Sequence, residues 1–479
     1  MNSADFAAIA PIIALGGGVT LVMLQVAARR SAGLTRLSAL LVLLVALAAS
    51  VWCEFGGARN VTVLLRADLL STLFAGLFCA SAAICVLLSR DYLPGLSDEG
   101  DEYYLLLLLA TLGGVVLAYA NHAASLLLGL ELLSVSLYAL IAYPSRVPTA
   151  VEAATKYLVL SGGASATMLF GFALFYAATG SLDFTGIGAG LAGSELGPAI
   201  VSLAAVLVVS GLAFKLSAAP FHLWAPDVYE GSPAPVTAFL ATVAKAAPFI
   251  VLLRLVVDAG LLALPGVAEV FAVLAVLSML VGNLLALLQN NVKRLLAYSS
   301  IAHMGYLLLI FVVAQNPVHR PLAGEAAVFY LFAYVPTTLA AFGLLALINS
   351  AGDGEDRAAV DDISGLFWRQ PVLAALMVVA LLSLAGIPLT AGFIGKFYLF
   401  AAAVAGAHWF MLGALVLGSA ISIYYYLRLV YQMSQPAPEG APEIALDAGT
   451  ISIVLFITAV ILALGVLPQL LMGYVQGIF

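Results

Sequence analysis

The chain has 479 residues, of which 64% are hydrophobic and only 9% charged, with a formal net charge of −7. A soluble domain carries about a quarter of its residues as charged groups, so this composition excludes a water-soluble enzyme and a nucleic-acid-binding module. It describes an all-α, polytopic membrane protein with almost nothing left over for a soluble domain.

A helix needs about 20 apolar residues to cross a hydrocarbon core of ~30 Å, and by that measure the chain holds about 14 transmembrane helices. The first seven are expected near Phe6 to Gln25, Leu37 to Val51, Leu69 to Leu88, Tyr104 to Tyr119, Ala124 to Tyr143, Tyr157 to Ala177 and Ala199 to Ala219. The second seven are expected near Val236 to Val257, Val267 to Leu288, Leu295 to Val313, Ala326 to Ile348, Val372 to Ala403, Trp409 to Tyr431 and Ile451 to Tyr474. Membrane strands are shorter and alternate in polarity, which these segments do not.

Short polar clusters, Leu93 to Glu102, Ala351 to Asp362 and Ser434 to Asp447, read as loops. Arg and Lys accumulate in short loops on the cytoplasmic side. With the N-terminus outside, the inner loops and span ends collect Arg29, Arg30, Arg36, Arg90, Arg146, Lys293, Arg294, Arg357, Arg369 and Arg428, against Arg59, Arg66 and Arg320 outside. Ten against three places both termini outside, since the number of spans is even. Met1 to Gln25 has no basic start and reads as a retained helix rather than a secretory signal. Cys53, Cys79 and Cys85 lack a CxxC or paired spacing, so no iron–sulfur cluster or zinc site, and no metal, is expected in this chain.

Two spans are expected to be discontinuous. After the seventh, Pro220, Pro226, Pro233 and Pro235 cannot continue a helix. The twelfth runs from Val372 to Ala403, which would be ~48 Å long as a straight helix, and Gly386 and Pro388 interrupt it. Irregular backbone at membrane depth is tolerated where protein or a water-filled cavity satisfies it, so both breaks are candidate hydrophilic sites. Spans four to eight and nine to thirteen share a pattern: a polar residue in the second helix, then a broken fourth helix with a lysine. Glu131 to Lys215 is 84 residues (215 − 131) and His303 to Lys396 is 93 (396 − 303). Five is odd, so the two units would enter the bilayer in opposite directions as inverted repeats. The expected organisation is a three-helix segment at 1–103, five-helix units at 104–258 and 259–431, and a C-terminal helix at 432–479.

The chain contains five lysines, and Lys215, Lys245 and Lys396 lie inside apolar runs. A central Lys costs roughly 2.5 to 3.5 kcal/mol to insert, so these three with Glu131 imply on the order of 10 kcal/mol without compensation. Glu131 carries Ser134 and Tyr138 on its helical face and reads as a proton or cation site, or as a carboxylate tying helices together. Lys215 stands beside the Pro220 break, Lys245 near the middle of span eight, and Lys396 two turns after Pro388; snorkelling to a surface is the alternative for each. Lys156 opens span six and is equally consistent with an interfacial anchor. His303 is the histidine best placed for proton relay; its alternative is a neutral ring bonded to a helix carbonyl. His222 is placed to line an inner entrance, and Lys293 with Arg294 reads as a pair that sets topology. Burial disfavours the charged form of an amine and a nearby carboxylate favours it, so supplying and withdrawing the partner moves a proton on and off.

The strings GLELLSVSLYALIAY around Glu131, KLSAAPFHLWAPDVYEGSPAPVTAFLATVAK from Lys215 to Lys245 and NNVKRLLAYSSIAHMGY around His303 resemble the antiporter-like membrane subunits of respiratory complex I, proton-translocating NADH:quinone oxidoreductase. The N type is resembled more than the L and M types, over nearly the whole chain and most strongly from Tyr104 to Tyr431. No long lateral helix follows Tyr474, which argues against the L type. The resemblance implies fourteen helices, two inverted five-helix units and discontinuous helices seven and twelve. It implies Glu131 and Lys215 as a coupled pair of the inner half-channel, Lys245 as the connecting group and Lys396 as the outward-side group, with Lys156 and His303 at further positions of a polar axis.

The function so implied is proton translocation through buried Lys, Glu and His side chains, coupled to redox chemistry elsewhere. No flavin or dinucleotide motif is present, so NADH, flavin, iron–sulfur clusters and quinone would belong to partner subunits, which include antiporter-like relatives. The expected location is the bacterial inner membrane. The rival readings are a monovalent cation/proton antiporter subunit, a solute carrier binding a substrate at the broken helices, and a non-pumping structural subunit.

Overall fold

The computed structural model describes the chain except residues 1, 54–56, 91, 94–99, 192, 195–196, 350–355, 357, 438–447, 477 and 479. The three loop clusters therefore fall partly, and Arg357 wholly, outside the described residues. Helices α1 to α7 are Ala10–Ala28, Ala32–Cys53, Leu69–Leu88, Asp101–Tyr119, Ala123–Ile141, Pro148–Thr179 and Pro198–Lys215. They are followed by α8 (Trp224–Gly231), α9 (Ala234–Ala241), α10 (Val243–Asp258), α11 (Val267–Leu287), α12 (Val292–Val313) and α13 (Arg320–Asn349). Then come α14 (Pro371–Ala385), α15 (Ala391–Ala405), α16 (Trp409–Ser434), α17 (Ala448–Val466) and α18 (Gln469–Val475), with further short helices at Ser3–Ala8, Phe184–Leu191 and Leu366–Arg369. Only helices satisfy every backbone group within a single membrane segment, and among the described residues strand pairing is limited to a two-residue ladder, Arg59–Asn60 with Arg66–Ala67, and isolated bridges at Leu65–Ala120, His122–Asp183 and Asn291–Ala359.

Among the described residues, twelve helices are long and apolar enough to cross a membrane, counting α9 and α10 as one. The bent C-terminal pair, Ile451–Val466 and Gln469–Val475 at 74°, and the two shorter helices α14 and α15 occupy the positions of the fourteenth and twelfth expected spans. The chain is thus a polytopic helical membrane protein, with most span ends displaced by up to about five residues from their hydropathy limits and two displaced further: α6 begins at Pro148 rather than Tyr157, which places Lys156 inside the helix, and α13 begins at Arg320 rather than Ala326. Local chemistry sets several of those ends. Pro148, Pro198 and Pro371 open α6, α7 and α14, where a missing N–H costs nothing. Asn291 caps α12 by accepting the Arg294 N–H at 3.1 Å, and His122 Nδ1 caps α5 through the Ala124 N–H at 3.0 Å.

Both expected breaks are present. α7 stops at Lys215, Ser217 takes φ +53, and helix resumes only at Trp224. α14 stops at Ala385, Gly386 takes φ +83 and Leu389 φ +72, and α15 begins at Ala391. A third interruption, at Thr242, separates α9 from α10.

The chain divides into two compact units. Unit 1 holds Met1–Val86, Ser97–Leu216 and Val243–Val270; unit 2 holds Leu87–Leu96, Ser217–Thr242 and Phe271–Phe479. In unit 1, α4 and α5 approach so closely at Gly113 that a Cβ there would lie 2.6 Å from the Leu133 nitrogen. In unit 2, Gly282 meets the Ala302 nitrogen of α12 at the same distance. A Gly113→Ala change should therefore cost about 1–3 kcal/mol through overpacking, seen as a lower thermal midpoint of the purified protein. Gly16→Ala, whose Cβ meets nothing within 4 Å, should leave the midpoint unchanged.

Candidate functional site

Each unit holds a polar centre among apolar helices. In unit 1, Lys215 is the last residue of α7, 4% exposed. Its ammonium donates to Ser134 Oγ on α5 at 2.7 Å and to Ser161 Oγ on α6 at 2.5 Å. Tyr138 donates to the same Ser161 oxygen at 2.6 Å. Ser165, one turn beyond Ser161, donates to Glu131 Oε1 at 2.6 Å.

Glu131 and Lys215 thus share neighbouring side chains without a direct ion pair: Ser134 lies three residues from Glu131, and Ser161 lies four from Ser165. The arrangement keeps an amine and a carboxylate among packed helices, each hydrogen-bonded to hydroxyls, which can both donate and accept.

Helix geometry brings Ser134 and Tyr138 to this centre as their offsets from Glu131 imply. Ser161 and Ser165 escape a reading based on ionisable groups. Their four-residue spacing within the apolar stretch LSGGASATM is the signal that finds them, because such a pair shares one helical face.

Lys245, 1% exposed, lies in the first turn of α10 just after the Thr242 interruption. That helix packs on α4, where a Cβ at Gly114 would touch Val243 at 3.1 Å. Lys156 is placed differently: its side chain is 43% exposed and paired with Glu152 at 2.8 Å across one turn of α6. It stands in an open surface groove with Arg146 and Thr155 and is not among the side chains that hold Lys215.

In unit 2, His303 on α12 is 4% exposed. Its Nδ1 lies 2.5 Å from the Tyr330 hydroxyl and its Nε2 3.2 Å from the Tyr426 hydroxyl. Both nitrogens therefore meet tyrosines, where a helix carbonyl was the alternative. A hydroxyl can donate or accept, so the site accommodates a neutral or a protonated ring.

Lys396 on α15 donates to the Ala385 carbonyl, at the end of α14, at 2.8 Å. Its Nζ also lies 5.4 Å from the centroid of the Tyr306 ring, within range of a cation–π attraction. Tyr306 stands between the two groups, with its ring 5.6 Å from that of His303 and its hydroxyl accepting from Asn283 Nδ2 at 2.9 Å. Asn283 in turn accepts from Tyr425 at 3.0 Å. A cavity with room for about one water, about 10 Å³, is lined by His303, Tyr330, Tyr334, Thr337 and Ser383.

Lys293 and Arg294, expected to set topology, both have partners within unit 2. Lys293, 1% exposed, donates to the Ser232 carbonyl at 2.6 Å and pairs with Asp356, which also accepts from Tyr92. Arg294 reaches Asp227 and Glu230 of α8 at 2.7 Å each. The pair ties the segment after the first break to the start of α12. His222, 7% exposed, faces Tyr298 of α12 with ring centroids 6.4 Å apart.

Residues 120–422 match a family profile described as NADH:quinone oxidoreductase/Mrp antiporter, TM. The chain is 46% identical over 481 residues to a protein of Ectopseudomonas mendocina named NADH-quinone oxidoreductase subunit N, covering 98% of this chain and 96% of that one. Among solved structures, a chain of respiratory complex I from Thermus thermophilus with bound aureothin superposes with a TM-score of 0.84 at 37% identity, covering 97% and 98% of the two chains. A chain of the Mrp complex from Dietzia sp. also gives a TM-score of 0.84, at 20% identity, over 99% of this chain and 97% of that one; this likeness is one of fold alone. With the match covering the greater part of the sequence, and a full-length relative far above the level at which kinship is in doubt, the chain belongs to the family of antiporter-like membrane subunits of NADH:quinone oxidoreductase, in its N-type branch.

Proposed function

We propose that this chain translocates protons as a membrane-arm subunit of NADH:quinone oxidoreductase. The observation that carries the reading is Lys215, an amine 4% exposed at the end of a broken helix, held by two serine hydroxyls and neighboured by Glu131. A buried amine of this kind binds a proton when the carboxylate acts on it and releases it when that influence is withdrawn. Lys215 and Glu131 form the coupled pair of the inner half-channel. Lys245 connects onward, and His303 and Lys396 carry the proton toward the outer side. Lys156, exposed and paired with Glu152, serves as an entry group or an anchor.

In this reading NADH, flavin, iron–sulfur clusters and quinone belong to partner subunits, among them other antiporter-like chains. Energy arrives by coupling, since each charge moved against 100 mV requires about 2.3 kcal/mol. The protein sits in a bacterial inner membrane with both termini outside, as the asymmetry of Arg and Lys in the loops supports.

The test is to tag the chain, purify it from native membranes and assay NADH:quinone activity. The activity is expected to copurify in an assembly containing this chain. An intact assembly with no such activity, or one that exchanges sodium for protons without redox turnover, would overturn the assignment.

A further inference from the structure

The break between α14 and α15 is bridged by two hydrogen bonds, each donated from α15 to an acceptor on α14. α14 ends in a glycine motif, with Gly386 in the left-handed region and the Ile387 N–H reaching back to the Leu382 carbonyl at 2.9 Å, a common way to satisfy the last carbonyls of a helix. Thr390 then stands at the N-cap of α15, where its hydroxyl would ordinarily accept from the second or third N–H. Instead that hydroxyl donates to the Ile387 carbonyl at 2.7 Å. The Gly392 N–H is accepted by Ser383 Oγ, from the preceding half-helix, at 3.1 Å. In the same direction, and one turn further along α15, Lys396 donates to the Ala385 carbonyl of α14.

Proton positions along this bridge follow from counting donors. Thr337 on α13 donates to the Ala333 carbonyl at 2.7 Å. A hydroxyl has one hydrogen, so in the 3.0 Å contact between Thr337 and Ser383 the serine donates. Ser383, fully buried, therefore accepts from Gly392 and donates to Thr337, linking the start of α15 to a continuous neighbouring helix. Backbone packing leaves no slack: a Cβ on Gly392 would lie 1.8 Å from the Ser383 carbonyl oxygen, and one on Gly465 of α17 would lie 2.5 Å from the Leu389 carbonyl oxygen. Both hydroxyls also border the one-water cavity beside His303, where a water would have the several polar partners it needs.

We propose that Ser383 and Thr337 are positioning residues for Lys396. They fix the first turn of α15, and with it the register of the Lys396 amine against the Ala385 carbonyl, without taking the transported proton themselves. This rests on the reading of Lys396 as a proton carrier.

The test uses the purified, assembled complex in vesicles, with proton uptake and NADH oxidation both normalised to the amount of complex. Thr337→Val keeps the side-chain shape and removes the hydroxyl, whereas Thr337→Ser keeps the hydroxyl. The loss of one such hydrogen bond should lower coupled turnover roughly 2- to 10-fold in Thr337→Val and in Ser383→Ala, with Thr337→Ser remaining within about twofold of the parent. Should Thr337→Val match both Thr337→Ser and the parent while Lys396→Met abolishes coupled turnover, the positioning role is overturned. Unchanged coupling in Lys396→Met would instead overturn the reading beneath it. If Ser383→Ala does not assemble, the isosteric pair at Thr337 still decides.

Discussion

Lys215→Met should lower coupled NADH:quinone turnover of the assembled complex on the order of tenfold or more, the scale of losing a positioned proton-transfer group. Methionine is one atom shorter than lysine and keeps most of its apolar stem but presents no N–H, so Ser134 and Ser161 lose a donor while the packing of α5, α6 and α7 is largely kept. Lys215→Arg gives the sharper result. Arginine retains a cation and its donors, so a purely structural ion at this position would tolerate it. Its guanidinium is not deprotonated in proteins, so a group that must release its proton would not. Both variants are expected to assemble to parental levels, and both are expected to lose turnover. Turnover retained by Lys215→Arg and lost by Lys215→Met would identify the amine as a structural charge.

The largest effect on stability is expected at Arg254, which is 4% exposed and far along α10 from Lys245. Its guanidinium reaches both oxygens of Asp68, at 2.9 and 2.5 Å, and Arg66 bridges Asp68 to Asp258 at 3.1 and 3.3 Å. Asp68 also receives the Ser71 N–H at 2.9 Å, which caps α3. Removing one partner of a buried pair costs about 3–5 kcal/mol when the other is left alone; Arg66 and the Ser71 N–H still reach Asp68 here, so the loss falls at or below the lower end of that range. Arg254→Met should therefore lower the thermal midpoint or the yield of assembled protein, and Asp68→Asn in the same chain should restore part of it.

This interaction also carries a pH dependence. Burial pushes the Asp68 carboxyl up, but Arg254 and the Ser71 N–H outweigh it, so the group titrates below the ordinary carboxylate range. A carboxyl depressed on folding stabilises the protein at pH above its unfolded value, near 4, and that contribution is lost as pH falls through the lower folded value. The difference in stability between parent and Arg254→Met should accordingly be full at neutral pH and shrink on acidification below about pH 4.

Much of the fold is legible in hydropathy and proline, because span length and helix breaking are local properties. Fourteen apolar stretches fall on helices or helix pairs, and Pro220 and Pro388 mark both long breaks. The interruption at Thr242 was not legible, since threonine is no helix breaker and Pro248, the conspicuous residue nearby, lies inside α10. The ionisable members of the two centres could be named because charge in an apolar run is conspicuous. Their hydrogen-bonding partners could not. Serines and tyrosines are ordinary in membrane helices, and only the fold shows that Ser161 faces Lys215 or that Tyr330 and Tyr426 bracket His303. The Asp68 and Arg254 pairing joins residues 186 positions apart, and nothing in either neighbourhood announces the other. Lys293 shows the same limit: its charge suggested orientation, whereas its burial against Asp356 gives it a structural partner as well.

The central claim, that buried amines in this chain carry protons, is tested most directly by the number of protons moved per NADH oxidised in sealed vesicles holding parental complex or the Lys245→Met variant. Lys245 is buried in the interior of its unit, so the substitution interrupts the path between its two proposed halves. A reduced ratio, or turnover slowed in step with proton uptake, is the expected result. A variant that assembles, oxidises NADH at the parental rate and moves the parental number of protons would contradict the claim.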